Sequence, residues 1–232
     1  MPGKGVPRPE RLPLVSDRLA KAYGRPGLCA HITEGVDNLV LTILSQNTTD
    51  RNRDLAYDRL MTRFGSLEAL AAAEVADVEA AIRVGGLAKA KAGAILSALR
   101  RIREERGGFT LDFLASMPLP AARDYLTSFR GVGVKTANIL LLFSFGMPAF
   151  PVDTHILRVA KRLGLVANDA DLAHAALALE PHVPSGEGVP LHLNLIRIGR
   201  ELCKPRAPHC PECPLCPDCP TGQKIINGAL VL

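Results

Sequence analysis

Apolar residues recur at three- and four-residue spacing along most of the chain, while period-two alternation is nearly absent. That pattern predicts an all-α fold with almost no strands. Helices are expected over 37–44 and 50–64, split by the polar run Ser45-Gln46-Asn47-Thr48-Thr49, with Asp50 placed to cap the second. Ser66 opens a further helix, and one over 75–83 stops at Gly85-Gly86. A long helix over 89–105 turns its basic residues outward and ends at Gly107-Gly108. Next come a short helix over 120–129, a tight Arg130-Gly131-Val132-Gly133-Val134 turn and a strongly apolar helix over 135–145, together a helix-hairpin-helix unit. Pro148 and Pro151 bound a linker, after which Asp153 caps a helix running to Leu163. Helices over 169–179 and 191–202 flank a Pro/Gly loop at 181–190. From Cys203 onward proline is too frequent for regular structure, so something other than a hydrophobic core is expected to hold this tail.

Composition narrows the setting. At 232 residues and 47% hydrophobic, the chain can bury a sizeable core. No apolar run approaches the roughly 18 residues needed to span a bilayer, the longest lying at 139–145. Residues 1–9 carry Lys4 and Arg8 without an apolar stretch or cleavage site, which reads as a short disordered tail without a secretory signal and implies a cytoplasmic home. The net charge of +5 favours polyanionic partners. With 20 Arg against 8 Lys, that charge sits mostly on guanidinium groups suited to phosphate geometry. A lysine in a chemically suggestive place therefore stands out.

Five of the six cysteines fall between Cys203 and Cys219, and such crowding in a reducing compartment points to a metal centre over a disulfide framework. Cys203, Cys210, Cys213 and Cys219 form C-x6-C-x2-C-x5-C, with Cys216 inside the last gap. Four thiolates hold either zinc or an iron-sulfur cluster. Zinc sites usually pair their cysteines twice, whereas one short pair here is flanked by two lone cysteines. Cys216 and Cys29 read as spare thiols. Between the first two ligands, Lys204 and Arg206 sit among prolines on a stiff basic loop that can meet phosphate, although an ordinary solvated loop has the same composition.

In the hairpin, Gly131 and Gly133 permit a turn whose backbone N–H groups, with that of Val132, point toward the N-terminus of the next helix, a geometry that binds phosphate without reading sequence. Lys135 follows at once. A neutral amine there can attack an electrophilic carbon, and both the helix N-terminus and partial burial would disfavour its protonated form. Asp153 supplies a carboxylate for proton transfer and for stabilising positive charge, besides capping its helix.

These motifs resemble the endonuclease III branch of the helix-hairpin-helix DNA glycosylases. The likeness covers Gln46 to Asp50, Gly86-Leu87, the hairpin with Lys135, Pro151-Val152-Asp153-Thr154-His155, and Ile198-Gly199-Arg200 leading into Cys203. The 18 positions from Lys135 to Asp153 agree with the family. The chain departs at Arg130, where the family usually has Pro, and at Val134, commonly basic. The resemblance implies a two-lobed all-α fold, with a central domain over 36–146 containing the hairpin unit at about 121–145. The second lobe would be 1–35 plus 147–232, closed by a [4Fe-4S] cluster on Cys203, Cys210, Cys213 and Cys219 in the loop 203–219. DNA would lie between the lobes.

It further implies a monomeric base excision repair enzyme acting on double-stranded DNA with damaged or abasic sites at the bacterial nucleoid, with no membrane partner. Oxidised pyrimidines would be removed and the backbone cleaved 3′ to the abasic site, with Lys135 as nucleophile and Asp153 as its partner. Because the target nucleotide must leave the stack, Leu87 is the candidate wedge, though it reads equally as a core residue after a helix cap. Gln46 or Asn47 would fill the gap, the family's Gln being expected at position 47. Lys91 and His155 are candidate contacts to phosphate or pocket, each also readable as a solvated helix residue. An adenine- or thymine-mismatch glycosylase of the same fold is disfavoured by Lys135. A DNA-binding paralogue that is catalytically weak or silent is the alternative from another class.

Overall fold

The computed structural model describes residues 6–27 and 35–231. Every regular element among them is helical: α1 (Leu12–Tyr23), α2 (Gly35–Leu44), α3 (Asp50–Phe64), α4 (Leu67–Ala72), α5 (Val75–Ile82), α6 (Ala88–Arg106), α7 (Leu119–Thr127), α8 (Val134–Phe145), α9 (Thr154–Leu163), α10 (Leu172–Leu179), α11 (Gly188–Glu201) and α12 (Pro220–Ile226). Among these residues no helix is long and apolar enough to cross a membrane. The chain divides into two compact units, one of residues 30–147 and the other of 1–29 with 148–232.

In the unit of residues 30–147, α2 buries Leu39, Val40, Ile43 and Leu44, while α6 buries Ile95, Leu96, Leu99 and Ile102 at helical spacing. Each fully buried Leu or Ile contributes on the order of 1.5–3 kcal/mol of transfer free energy. Helix α8 is buried on most of its faces, with α2 and α7 packed against it. Helix caps follow side-chain chemistry. Thr49, one residue earlier than expected, caps α3 by accepting from the Asn52 N–H at 3.3 Å, and Ser66 caps α4 from the Ala69 N–H at 3.2 Å.

The other unit joins α1, α9, α10 and α11 around Leu12, Leu19, Phe150, Ile156, Leu179, Leu195 and Ile198. Helix α1 has no counterpart among the elements expected from sequence. Its buried residues Leu12, Val15, Ser16 and Leu19 have helical spacing, but Pro9 and Pro13 disguise it; Pro13 is tolerated in the first turn, where no N–H donor is needed. For the same reason α11 starts at Gly188, with Pro190 in its first turn, so part of the expected 181–190 loop is helix.

The cysteine tail also departs from expectation. It ends in a helix, α12, with Pro220 at its start and Cys219 as cap, the Cys219 Sγ accepting from the Gly222 N–H at 3.3 Å. Leu215 is buried in the unit's core, and Cys203, Cys213 and Cys219 pack against that core, so hydrophobic burial does contribute to holding the tail. Polar ties add to it: Arg11 donates to the Asp218 carbonyl at 3.1 Å and Arg18 pairs with the Asp218 carboxylate. The expected spare thiol Cys29 and most of the expected disordered tail, residues 1–5, lie outside the described residues.

Candidate functional site

The hairpin connects α7 to α8. Phe129 and Val132 turn inward, and the Val132 N–H donates to the Phe129 carbonyl at 3.1 Å. Val132 is therefore corrected as a phosphate contact: its amide is occupied and its side chain is buried. Gly131 has φ +80°, and a Cβ there would stand 3.2 Å from the Ala94 Cβ, so both backbone conformation and space call for glycine. Gly131 and Gly133 are exposed. The N–H groups of Gly131, Gly133, Val134 and Lys135 find no acceptor among the described residues. Four donors at a helix N-terminus form a ready seat for an anion. Lys135, second residue of α8, is exposed, which corrects the partial burial expected for it.

Two loops of the same unit carry further candidates, residues 45–49 after α2 and residues 85–87 before α6. Gln46 donates from Nε2 to the Gly131 carbonyl at 2.9 Å, bracing the hairpin from the end of α2. Asn47 is exposed with φ +49°. Leu87 is 58% exposed with φ +50°, so the core reading of Leu87 does not hold. A non-glycine residue in the left-handed region costs on the order of 1–3 kcal/mol. Asn47, Thr48, Thr49, Asn52, Val84, Gly85 and Gly86 line one open hollow.

Lys91 is corrected as a phosphate or pocket contact and as a solvated residue. Its side chain is buried, Nζ donates to the carbonyls of Leu44 at 2.7 Å and Gly85 at 2.8 Å, and burial pushes its ammonium below the ordinary lysine range.

In the other unit Asp153 is half-buried and caps α9, its Oδ1 accepting from the Ile156 N–H at 2.8 Å. Its second oxygen has no protein partner among the described residues. One face of α9 then carries His155, Arg158 and Arg162. His155 Nδ1 lies 3.2 Å from an Arg158 nitrogen. Arg158 donates to the carbonyls of Cys203 at 2.8 Å and Gly199 at 2.7 Å. A Cβ on Gly199 would come within 2.7 Å of the His155 Cβ, so this glycine permits α9 and α11 to cross closely. Arg162 contacts the Cys203 Sγ at 3.3 Å and donates to the carbonyls of Lys204 at 2.7 Å and Pro205 at 2.9 Å. Lys204 and Arg206 themselves are exposed. Sequence reasoning missed Arg158 and Arg162; the signal available was the i, i+3, i+7 spacing of 155, 158 and 162.

Cys203, Cys210, Cys213, Cys216 and Cys219 line one cavity, walled also by Arg162, Gly222 and Ile225. Cys216, expected as a bystander, is buried within it, and a Cβ on Gly222 would stand 2.9 Å from its sulfur. Burial, together with the neighbouring thiols, pushes Cys213 up to about 11; burial likewise takes Cys219 up to about 11. Among the described residues no three metal-ligating side chains converge closely enough to hold a single ion; the sulfurs line the cavity wall instead.

A hairpin offering open amides, with an exposed lysine beginning the next helix, and a thiol-lined loop flanked by cations define a helix-hairpin-helix protein. The family model described as HhH-GPD superfamily base excision DNA repair protein matches residues 40–181. Endonuclease III of Sulfolobus acidocaldarius is 32% identical over 183 residues, covering 78% of this chain and 79% of the relative. A putative DNA glycosylase of Arabidopsis thaliana is 38% identical over 149 residues, covering 64% of this chain and 51% of the plant protein, so the chain spans about half of that relative's length. Among solved structures, a trapped endonuclease III–DNA covalent intermediate in an estranged-adenine complex superposes with a TM-score of 0.79 at 30% identity, covering 94% of this chain and 98% of that one. The chain belongs to the endonuclease III family within the HhH-GPD superfamily of base excision DNA repair enzymes.

Proposed function

We propose that the protein is a bifunctional DNA glycosylase and abasic-site lyase that removes oxidised pyrimidines of the thymine-glycol type from double-stranded DNA and cleaves 3′ to the resulting site. The observation that carries this reading is Lys135, an exposed amine in the first turn of α8, directly after a hairpin whose Gly131 and Gly133 amides find no acceptor among the described residues. A phosphate seated on those amides would bring its deoxyribose beside the amine. That a chain similar in sequence and fold has been trapped as a covalent intermediate with DNA supports the covalent route.

The ammonium must first lose its proton to become a nucleophile. The amine then attacks C1′ and the N-glycosidic bond breaks, its electron pair leaving with the base, which takes up a proton. The sugar ring opens as the nitrogen–C1′ bond becomes an imine. Loss of a C2′ proton expels the 3′ phosphate oxygen, and water finally releases the lysine. We assign Asp153 to proton movement and to countering positive charge on the sugar, through the carboxylate oxygen that its cap bond leaves open.

Cys203, Cys210, Cys213 and Cys219 would hold a [4Fe-4S] cluster. The fit rests on the cavity: the thiols line one space together, and the Arg162 guanidinium, 3.3 Å from the Cys203 sulfur, offsets the negative charge that thiolate ligands carry. When bound, the cluster supplies a rigid clamp for the loop carrying Lys204 and Arg206, which we assign to phosphate contact. The target nucleotide must leave the stack. Leu87 is the wedge and Asn47 the polar contact to the orphan base, since Gln46 is engaged on the hairpin. The enzyme works as a monomer on chromosomal DNA in a reducing cytoplasm.

Borohydride trapping tests the reading. A covalent adduct should form on duplexes containing thymine glycol or a preformed abasic site and be lost in Lys135→Ala. Binding without an adduct on either substrate would overturn the lyase. An adduct on the abasic site alone would keep the lyase and overturn the oxidised-pyrimidine substrate.

A further inference from the structure

Lys91 is the fourth residue of α6, and its side chain is 2% exposed. The two carbonyls that receive its ammonium end two different elements: Leu44 is the last residue of α2, and Gly85 closes the 3₁₀ turn Arg83–Gly85. Neither carbonyl accepts a backbone N–H across its chain end among the described residues. Orphan carbonyls at helix ends attract donors and positive charge, so one ammonium from a third element caps both ends at once.

The two chain ends lead directly into the two exposed probes. Asn47 stands three residues beyond Leu44 and Leu87 two beyond Gly85, each with a left-handed backbone that costs free energy to hold. The Lys91 N–H also donates to the Leu87 carbonyl at 3.0 Å, so Lys91 holds the roots of both loops. Between them lies the open hollow lined in part by Asn52, Val84 and Gly86.

Space-filling does not require a cation here. No carboxylate pairs with Lys91 among the described residues, and burial opposes its charged form. An unbranched apolar side chain of similar length would fill the site with a smaller desolvation cost. What the ammonium adds is direction, namely hydrogen bonds to two carbonyls on separate loops.

We propose that Lys91 is a positioning residue that fixes the separation of Asn47 and Leu87, so that both loops enter the gap left by an extruded nucleotide as one unit. The inference rests on the reading of this chain as a base-flipping glycosylase. Its test compares affinity for a duplex carrying a tetrahydrofuran abasic analogue with affinity for the intact duplex, in Lys91→Met, Leu87→Ala and the double variant. Each single change should lower the ratio about tenfold, and the double variant should lose little more than one single does, because the two act through the same element. Independent losses that multiply to about 100-fold, or an unchanged ratio in Lys91→Met with only a lower melting temperature, would overturn it.

Should Lys91→Met fail to fold, a cycle of the exposed residues Asn47→Ala and Leu87→Ala on the wild-type lysine reads the same coupling. Losses that fall short of multiplying support a fixed pair, and fully multiplicative losses contradict it. Wild-type protein with no preference for the abasic analogue would sink the functional reading itself. A wild-type preference that Lys91→Met retains would sink the role of Lys91 alone.

Discussion

The hairpin of residues 129–135 and the cysteine loop of residues 203–219 both carry cations on irregular backbone, yet they are held by different forces. The hairpin is made mainly by packing: Phe129 and Val132 are buried, Gly131 sits close to Ala94, the Arg101 guanidinium covers the Phe129 ring at 4.6 Å, and the neutral side chain of Gln46 braces the turn. The cysteine loop buries Leu215 but depends heavily on charge and sulfur. Arg158 and Arg162 gather its carbonyls, Arg11 and Arg18 hold Asp218, and five thiols face one cavity. A loop formed by packing keeps its shape alone, whereas a loop lined by thiols gains further stability from whatever the thiols bind.

The largest difference should appear when iron is removed. Chelation of the loaded protein, or Cys213→Ala, should destabilise the unit holding the cysteines by more than about 3 kcal/mol. Amide exchange should then accelerate over residues 203–219 and stay unchanged over 129–135; equal acceleration in both would erase the contrast. Gly131→Ala reverses the pattern. A positive φ and a 3.2 Å approach to Ala94 should cost about 1–3 kcal/mol and weaken binding to undamaged duplex, while the visible absorbance of the cluster persists. Arg162→Ala should cost about 1–2 kcal/mol, read as a lower melting temperature and faster loss of iron, with the hairpin amides unaffected. Asp153→Asn should have the smallest effect on stability, within about 0.5 kcal/mol, because an amide oxygen still caps α9. Borohydride trapping should nevertheless fall sharply in that variant.

Legibility from sequence follows the same division. The hairpin was readable because its signals are local: two glycines, a lysine and an apolar helix in consecutive positions. Asp153 as a cap was readable for the same reason. Helices α1 and α12 were hidden by prolines that are harmless in a first turn. The burial of Lys91 was invisible because it depends on carbonyls 47 and 6 residues away, brought together only by the packing of three elements. That Gln46 reaches the hairpin while Asn47 stays exposed likewise needed the fold, since adjacent residues after a helix end diverge once one of them finds Gly131. Arg158 and Arg162 carry no local signal beyond their spacing, because their partners lie in the chain from Cys203 onward, which returns to α9 only in the fold.

The central claim is that the reacting amine belongs to Lys135, and locating the covalent bond tests it most directly. Wild-type protein reduced with borohydride on an abasic duplex, digested and mapped by mass spectrometry, should carry the reduced sugar remnant on Lys135 and on no other amine. A remnant on another lysine or on the N-terminal amine, or no remnant on DNA that the protein demonstrably binds, would contradict the account.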